Sequence, residues 1–132
     1  MASVQEWLST ANAVVPRLAP QELKDLLSRP DVVLIDVRDA LEVQGSGKLR
    51  GARNISRGML EFRADAASAY HDPVLQKDRT LVLYCASGGR SALAGKTLLD
   101  MGYTSVYNAG GFNELTAAGI ETEGGSSTMS VV

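Results

Sequence analysis

The chain is poor in the residues that staple small proteins or hold metals. It has one cysteine and one histidine in 132 residues. A lone cysteine forms no internal disulfide, and zinc sites usually take four ligands, mostly cysteine and histidine. These scarcities point to a reducing, cytoplasmic setting with a free thiol and no metal. Aromatic residues make up only 5%, so the 45% hydrophobic content must build a core of Leu, Val, Ile and Ala. Charge of one sign is also missing. Thirteen basic and 15 acidic residues are well mixed, for a net charge of −2. Without a Lys/Arg run there is no nucleic-acid face and no anionic-membrane face. No apolar run approaches the roughly 20 residues that span a bilayer. Met1-Ala2-Ser3-Val4-Gln5-Glu6-Trp7 lacks the basic start and apolar core of a signal peptide, again as expected of a cytoplasmic protein. The phosphate-loop pattern G-x-x-x-x-G-K-[ST] is absent, so no nucleotide site is expected, and no cofactor is called for.

What is present reads as one α/β domain. Ser3 and Glu6 form an S-x-x-E box ahead of Val4, Trp7, Leu8 and Ala11, which predicts an amphipathic helix over 4–13 with Trp7 as its core anchor. Residues 14–18 read as a short extended piece, confined to an edge by Pro16. Pro20 starts a second helix with a Leu23, Leu26, Leu27 stripe, ended by Pro30. Asp31 to Val37 is a β-branched run of the kind buried on both faces in parallel sheets. A helical turn over 39–44 and a short strand over 51–55 follow, and 57–78 is ambiguous, with Met59, Leu60 and Phe62 as anchors of a turn. Thr80 to Tyr84 is a second apolar strand. Ala94, Leu98 and Met101 mark a helix from Ser91 that ends at Gly102. Val106-Tyr107 suggests a further strand, and a last helix lies near 112–118. The expected organisation is a helical extension over 1–15, a domain over 16–120 and a flexible tail over 121–132.

Ligands of such sheets gather at the C-terminal ends of strands, where Asp36 and Cys85 lie. Cys85 closes the second apolar strand and opens Ala86-Ser87-Gly88-Gly89-Arg90-Ser91, beyond which the helical pattern begins. The amides of this segment can converge as an anion nest, and the following helix adds roughly half a positive charge. Ser87 and Ser91 bring hydroxyl donors, and Arg90 brings a planar fork for an oxyanion. Helix N-termini with cationic neighbours lower a thiol from about 8.5 into the range 3.5–7.5. The same donors would stabilise an outer sulfur carried on Cys85, or the sulfonate end of a thiosulfate-type donor.

Cys85-Ala86-Ser87-Gly88-Gly89-Arg90-Ser91 resembles the active-site loop C-x-x-G-x-R-S of the rhodanese (sulfurtransferase) family. Asp36-Val37-Arg38, Glu42 and Gly51-Ala52-Arg53-Asn54-Ile55 resemble its upstream signature, and Asn108-Ala109-Gly110-Gly111-Phe112 its late glycine turn. The resemblance spans about residues 17–120. It implies an α/β fold with a parallel sheet of about five strands flanked by helices on both faces. It also implies a persulfide on Cys85, formed from a small anionic sulfur donor and passed to cyanide, a thiol or a thioredoxin-like acceptor. On this reading Cys85 and Arg90 are catalytic, Ala86, Ser87, Gly88, Gly89 and Ser91 bind substrate, and Asp36 and Arg38 support the loop. The chain departs from the pattern at Lys48, where the family usually has His, at Ala86, often Arg, and at Leu115, often Trp.

Two other functions fit the same pattern. One is a non-catalytic rhodanese-like binding module. The other is the oxyanion chemistry of cell-cycle phosphatases and arsenate reductases of similar fold, whose loop is one residue longer, C-x5-R against the C-x4-R of Cys85 to Arg90. Elsewhere, Arg38 and Glu42 at i, i+4 are expected to pair with each other. Lys48, Arg50, Arg57 and Arg63 read as solvated charge, and nothing brings His71 near the loop.

Overall fold

The computed structural model describes residues 2–125. Its centre is a four-stranded parallel sheet in the order β3-β1-β4-β5, made of β1 (Val32–Asp36), β3 (Arg53–Asn54), β4 (Thr80–Cys85) and β5 (Val106–Gly111). A fifth position is a single parallel bridge, Arg17 to Asn108, held by the Leu18 N–H on the Asn108 carbonyl and the Asn108 N–H on the Pro16 carbonyl. Pro16 has no N–H, and the chain turns into α2 (Pro20–Leu26) at once, so the expected edge strand is cut to one residue.

Side chains along a strand alternate between faces. In β4, Leu81, Leu83 and Cys85 point to one core, with Val33, Ile35, Leu60, Ala94 and Leu98. Val82 and Tyr84 point to the other, with Leu23, Leu34, Phe112 and Leu115. The first core is covered by α4 (Leu60–Ala64) and α5 (Gly89–Asp100), the second by α2 and α6 (Phe112–Ala117). Every residue of β4 is buried, as its unbroken apolar run requires. The Tyr84 hydroxyl finds a partner inside that core: it accepts the Leu49 N–H at 2.9 Å. That bond ties β2 (Lys48–Leu49) to the sheet below it.

Three expectations need correction. Trp7 is 59% exposed. The helix α1 (Val4–Val14) buries Ala11 instead and lays Leu8 near Gly89 of α5, one step round from the stripe through Trp7. Phe62 is likewise 52% exposed, stacked edge-on to Tyr70, while Leu60 fills the core. The stretch from 121 does not begin as a loose tail. Thr122–Glu123 form β6, antiparallel to β2, where the Glu123 carboxylate takes the Lys48 ammonium and the Gly51 N–H, and Glu121 takes Arg50. The rest of that expectation, residues 126–132, lies outside the described residues.

Replacing Tyr84 by Phe strands the buried Leu49 N–H, which costs about 1–3 kcal/mol. Denaturant midpoints of Tyr84→Phe and the parent chain measure it, and an unchanged midpoint contradicts the role given to the hydroxyl.

Candidate active site

Only Ala86, Ser87 and Gly88 separate the end of β4 from the first residue of α5. Gly88 takes φ +102°, a left-handed conformation that a side chain would resist. This turn directs its N–H to the Cys85 Sγ at 3.0 Å. The Ser91 hydroxyl lies 3.5 Å from the same sulfur. Burial pushes the thiol pKa up. The Ser91 hydroxyl and the backbone N–H groups of Ser91, Ser87 and Gly88 act against it, and the net shift is downward. The turn is wedged against β5, because a Cβ on Gly111 would stand 2.6 Å from the Ala86 carbonyl oxygen.

Asn108 holds this turn from behind. It is buried, donates through Nδ2 to the Gly88 carbonyl at 3.0 Å, and accepts the Ser91 hydroxyl at 2.7 Å and the Gly110 N–H at 2.9 Å. One amide therefore fixes both groups that reach the sulfur. Ser91 has a single proton, so its hydroxyl serves either Asn108 or a charged Cys85.

Two ion pairs frame the loop. Asp36 and Arg38 are buried and joined side on, Nε to Oδ1 at 3.1 Å and Nη2 to Oδ2 at 2.7 Å, while Asp36 also accepts the Arg38 N–H at 2.9 Å. Arg38 reaches on to the Ser46 hydroxyl and the Gly47 carbonyl, and its guanidinium lies 4.2 Å from the Phe112 ring centre. These contacts pin the end of α3 (Ala40–Ser46). From that helix Glu42 grips Arg90 with both oxygens, at 2.7 and 3.0 Å. Arg90 beside it holds the Glu42 carboxyl down to about 2, and the Arg90 guanidinium is raised in turn. Arg38 and Glu42 thus do not pair with each other: each has a closer opposite charge, from the end of β1 and the start of α5. A cleft of about 380 Å³ opens beside the loop, bounded by Arg38, Leu41, Glu42, Ala86 and Phe112 among others. Cys85 itself is 1% exposed.

The model of the rhodanese-like domain matches residues 19–118. The chain belongs to the rhodanese-like family. It is 34% identical over 125 residues to the mouse thiosulfate sulfurtransferase/rhodanese-like domain-containing protein 3, covering 90% of this chain and 77% of that protein. It is 33% identical over 100 residues to a tRNA uridine(34) hydroxylase of Picosynechococcus, covering 76% of this chain and a third (33%) of the relative. Among solved structures, a Rhodopseudomonas palustris protein of unknown function, described as a possible tyrosine phosphatase, aligns at TM-score 0.87 and 39% identity over 93% of this chain and 96% of that one. The polysulfide-sulfur transferase homodimer of Wolinella succinogenes aligns at 0.70 and 32%, over 90% and 85%.

In this rhodanese-like domain Gly88 and Ser91, both named from sequence, reach the Cys85 sulfur, Arg90 is turned to Glu42, and Asp36 and Arg38 pair with each other. Among the departures, Leu115 is fully buried in the second core and Lys48 is tied to Glu123. His71 lies apart from the loop, its Nε2 3.4 Å from the Leu75 carbonyl. Sequence reasoning missed Asn108 as a support, though a polar residue inside a buried strand is a signal for one. It also missed Arg17, which meets Glu114 at 3.3 Å beside Gly88 and Gly110. Nothing in the sequence separates Arg17 from other surface arginines. Among the described residues no cluster of metal-binding side chains occurs, and no helix is long and apolar enough to cross a membrane.

The depressed Glu42 pKa makes the Glu42–Arg90 pair a source of acid sensitivity. Its stabilisation is full above the ordinary value of 4.5 and is lost as the pH falls towards about 2. The melting temperature of the parent chain should therefore fall further across that window than that of Glu42→Gln, and parallel curves would contradict the coupling. A methyl group at Gly111 must displace the Ala86 carbonyl, so Gly111→Ala should cost about 1–3 kcal/mol and slow alkylation of Cys85. A variant as stable and as reactive as the parent would show that the loop is not wedged there.

Proposed function

We propose that this domain is a sulfurtransferase that carries sulfane sulfur on Cys85. The observation that supports it best is the convergence of the Gly88 N–H and the Ser91 hydroxyl on one sulfur at a strand-to-helix turn. The Cys85 thiolate attacks the outer sulfur of thiosulfate. The sulfur–sulfur bond of the donor breaks, sulfite leaves with the bonding electrons, and Cys85 becomes a persulfide. An acceptor, cyanide or a thiol such as that of a thioredoxin-like protein, then attacks the outer sulfur and returns the Cys85 thiolate. The amides of Ala86, Ser87, Gly88 and Gly89, with Ser91, stabilise the anionic sulfur as an oxyanion hole stabilises oxygen. Arg90 adds charge beside them, and Asp36 and Arg38 hold the surrounding frame. The chemistry uses no metal or organic cofactor, and a free thiol at its centre fits the reducing cytoplasm.

The near burial of Cys85 also favours this reading. A terminal sulfur is a single atom that can enter end on, whereas a tetrahedral phosphate ester needs a wider bowl. The loop is also one residue shorter than the C-x5-R loop of the phosphatases, which narrows the space a tetrahedral phosphate would need. The hydroxylation named for the longer relatives stays with them, since this chain spans a third of their length.

Intact mass after incubation with thiosulfate tests the proposal. The expected result is one added sulfur, removed by cyanide and absent in Cys85→Ser. Arg90→Ala should slow its appearance by about tenfold, the worth of one charged hydrogen bond. A folded protein that gains no sulfur but hydrolyses an aryl phosphate would overturn the assignment in favour of the phosphatase reading.

A further inference from the structure

Ser91 stands between two acceptors with one proton to give. It is fully buried, with the Asn108 Oδ1 at 2.7 Å on one side and the Cys85 Sγ at 3.5 Å on the other. The orientation of the Asn108 amide decides which of them receives the proton. Its Oδ1 also takes the Gly110 N–H at 2.9 Å, and its Nδ2 donates to the Gly88 carbonyl at 3.0 Å. Gly110 offers only a donor there and Gly88 only an acceptor, so the amide cannot be turned over. An amide oxygen accepts and never donates, so the Ser91 proton lies on the Asn108 side, in a bond of ordinary length. The face of Ser91 towards Cys85 is then a lone pair. That suits a thiol, whose S–H can point at it, and opposes a thiolate.

Ionisation of Cys85 changes the balance. A hydrogen bond to a charged sulfur is stronger than one between neutral groups, so the hydroxyl turns from the amide to the thiolate. Rotation about the Ser91 Cβ–Oγ bond is enough, and no covalent bond at Ser91 changes. We propose that Asn108 is a positioning residue that holds the Ser91 proton while the sulfur is uncharged and yields it when Cys85 becomes a thiolate. In a persulfide the charge sits on the outer sulfur, so the proton returns to Asn108 once Cys85 is loaded; this place in the cycle rests on the sulfur-transfer reading above. Asn108 thus favours the thiol and the loaded state over the bare thiolate. The turn itself does not hang on the amide alone, since the Gly88 carbonyl also accepts the Ala92 N–H at 3.1 Å. The charged groups that face the loop are already paired: Asp36 with Arg38 at the end of β1, Glu42 of α3 with Arg90 of α5, Arg17 with Glu114 of α6, and Arg57 with Glu61 of α4. Substitution at Asn108 or Ser91 touches none of these pairs.

The test is a double-mutant cycle read by the pH midpoint of Cys85 alkylation with iodoacetamide. Asn108→Ala should lower the midpoint by about half a unit to one unit, because the Ser91 proton no longer has a second acceptor. In the Ser91→Ala background the same change should leave the midpoint where it is, since Asn108 acts through Ser91. A midpoint that rises or stays put in Asn108→Ala overturns the proposal, and so does an equal shift with and without Ser91: each makes Asn108 a support of the loop and nothing more. The parent chain supplies a second reading should the buried variant fail to fold. The Gly110 N–H shares the Asn108 Oδ1 with Ser91, so its proton resonance should move as Cys85 ionises, and by less in Ser91→Ala. Movement of the same size in both chains overturns the proposal. Neither measurement uses a sulfur donor, so failure here leaves sulfur transfer standing, and failure of thiosulfate to load Cys85 leaves the link between Asn108 and Ser91 standing.

Discussion

Three residues must carry the chain from the end of β4 into the first turn of α5, and the site follows from that constraint. In this connection the Ser87 and Gly88 N–H groups turn towards the Cys85 sulfur. The left-handed Gly88 bends it inward, and its N–H meets Cys85 Sγ at 3.0 Å. The alternation of side chains along β4 decides the rest: Cys85 follows Leu81 and Leu83 onto the face where α5 starts, so the sulfur lies under the helix terminus. A cysteine one position earlier or later in the strand would point into the opposite core.

The surrounding charges set the position of the frame more than they add stability. A buried ion pair such as Asp36–Arg38 costs desolvation that its attraction only partly repays. What the pair supplies is geometry. Arg38 joins the end of β1 to Ser46 and Gly47, which fixes α3, and α3 carries Glu42 to Arg90. The line from Asp36 to Arg90 therefore connects two strand ends through one helix. Asn108 performs the matching task from β5, gripping Gly88 and Ser91 together. The loop is held from both neighbouring strands, and no buried side-chain nitrogen or oxygen among the described residues lacks a partner.

The strands and the loop were legible in the sequence for physical reasons. Val32–Asp36 and Thr80–Cys85 are runs that only a sheet covered on both faces can bury, and Cys85 followed by a glycine turn and a helical pattern has few other readings. Partners were less legible. Arg38 and Glu42 sit at helical spacing, yet the helix begins only at Ala40, so the rule for neighbours on one helix does not apply to them. Trp7 and Leu8 both fit the α1 periodicity, and the choice between them is made by α5, which the local pattern does not contain. The strand at Thr122–Glu123 was hidden because two residues carry no period, and ion pairs to Lys48 and Arg50 distant in sequence hold it.

A reactive Cys85 requires main-chain and hydroxyl donors to outweigh the burial of its thiol. The pH dependence of Cys85 alkylation by a small haloacetamide measures that balance directly. The prediction is a midpoint below the roughly 8.5 of a free cysteine, moved upward in Ser91→Ala. A midpoint at or above the free value, indifferent to Ser91, would mean that burial prevails and that this loop does not prepare its sulfur for transfer.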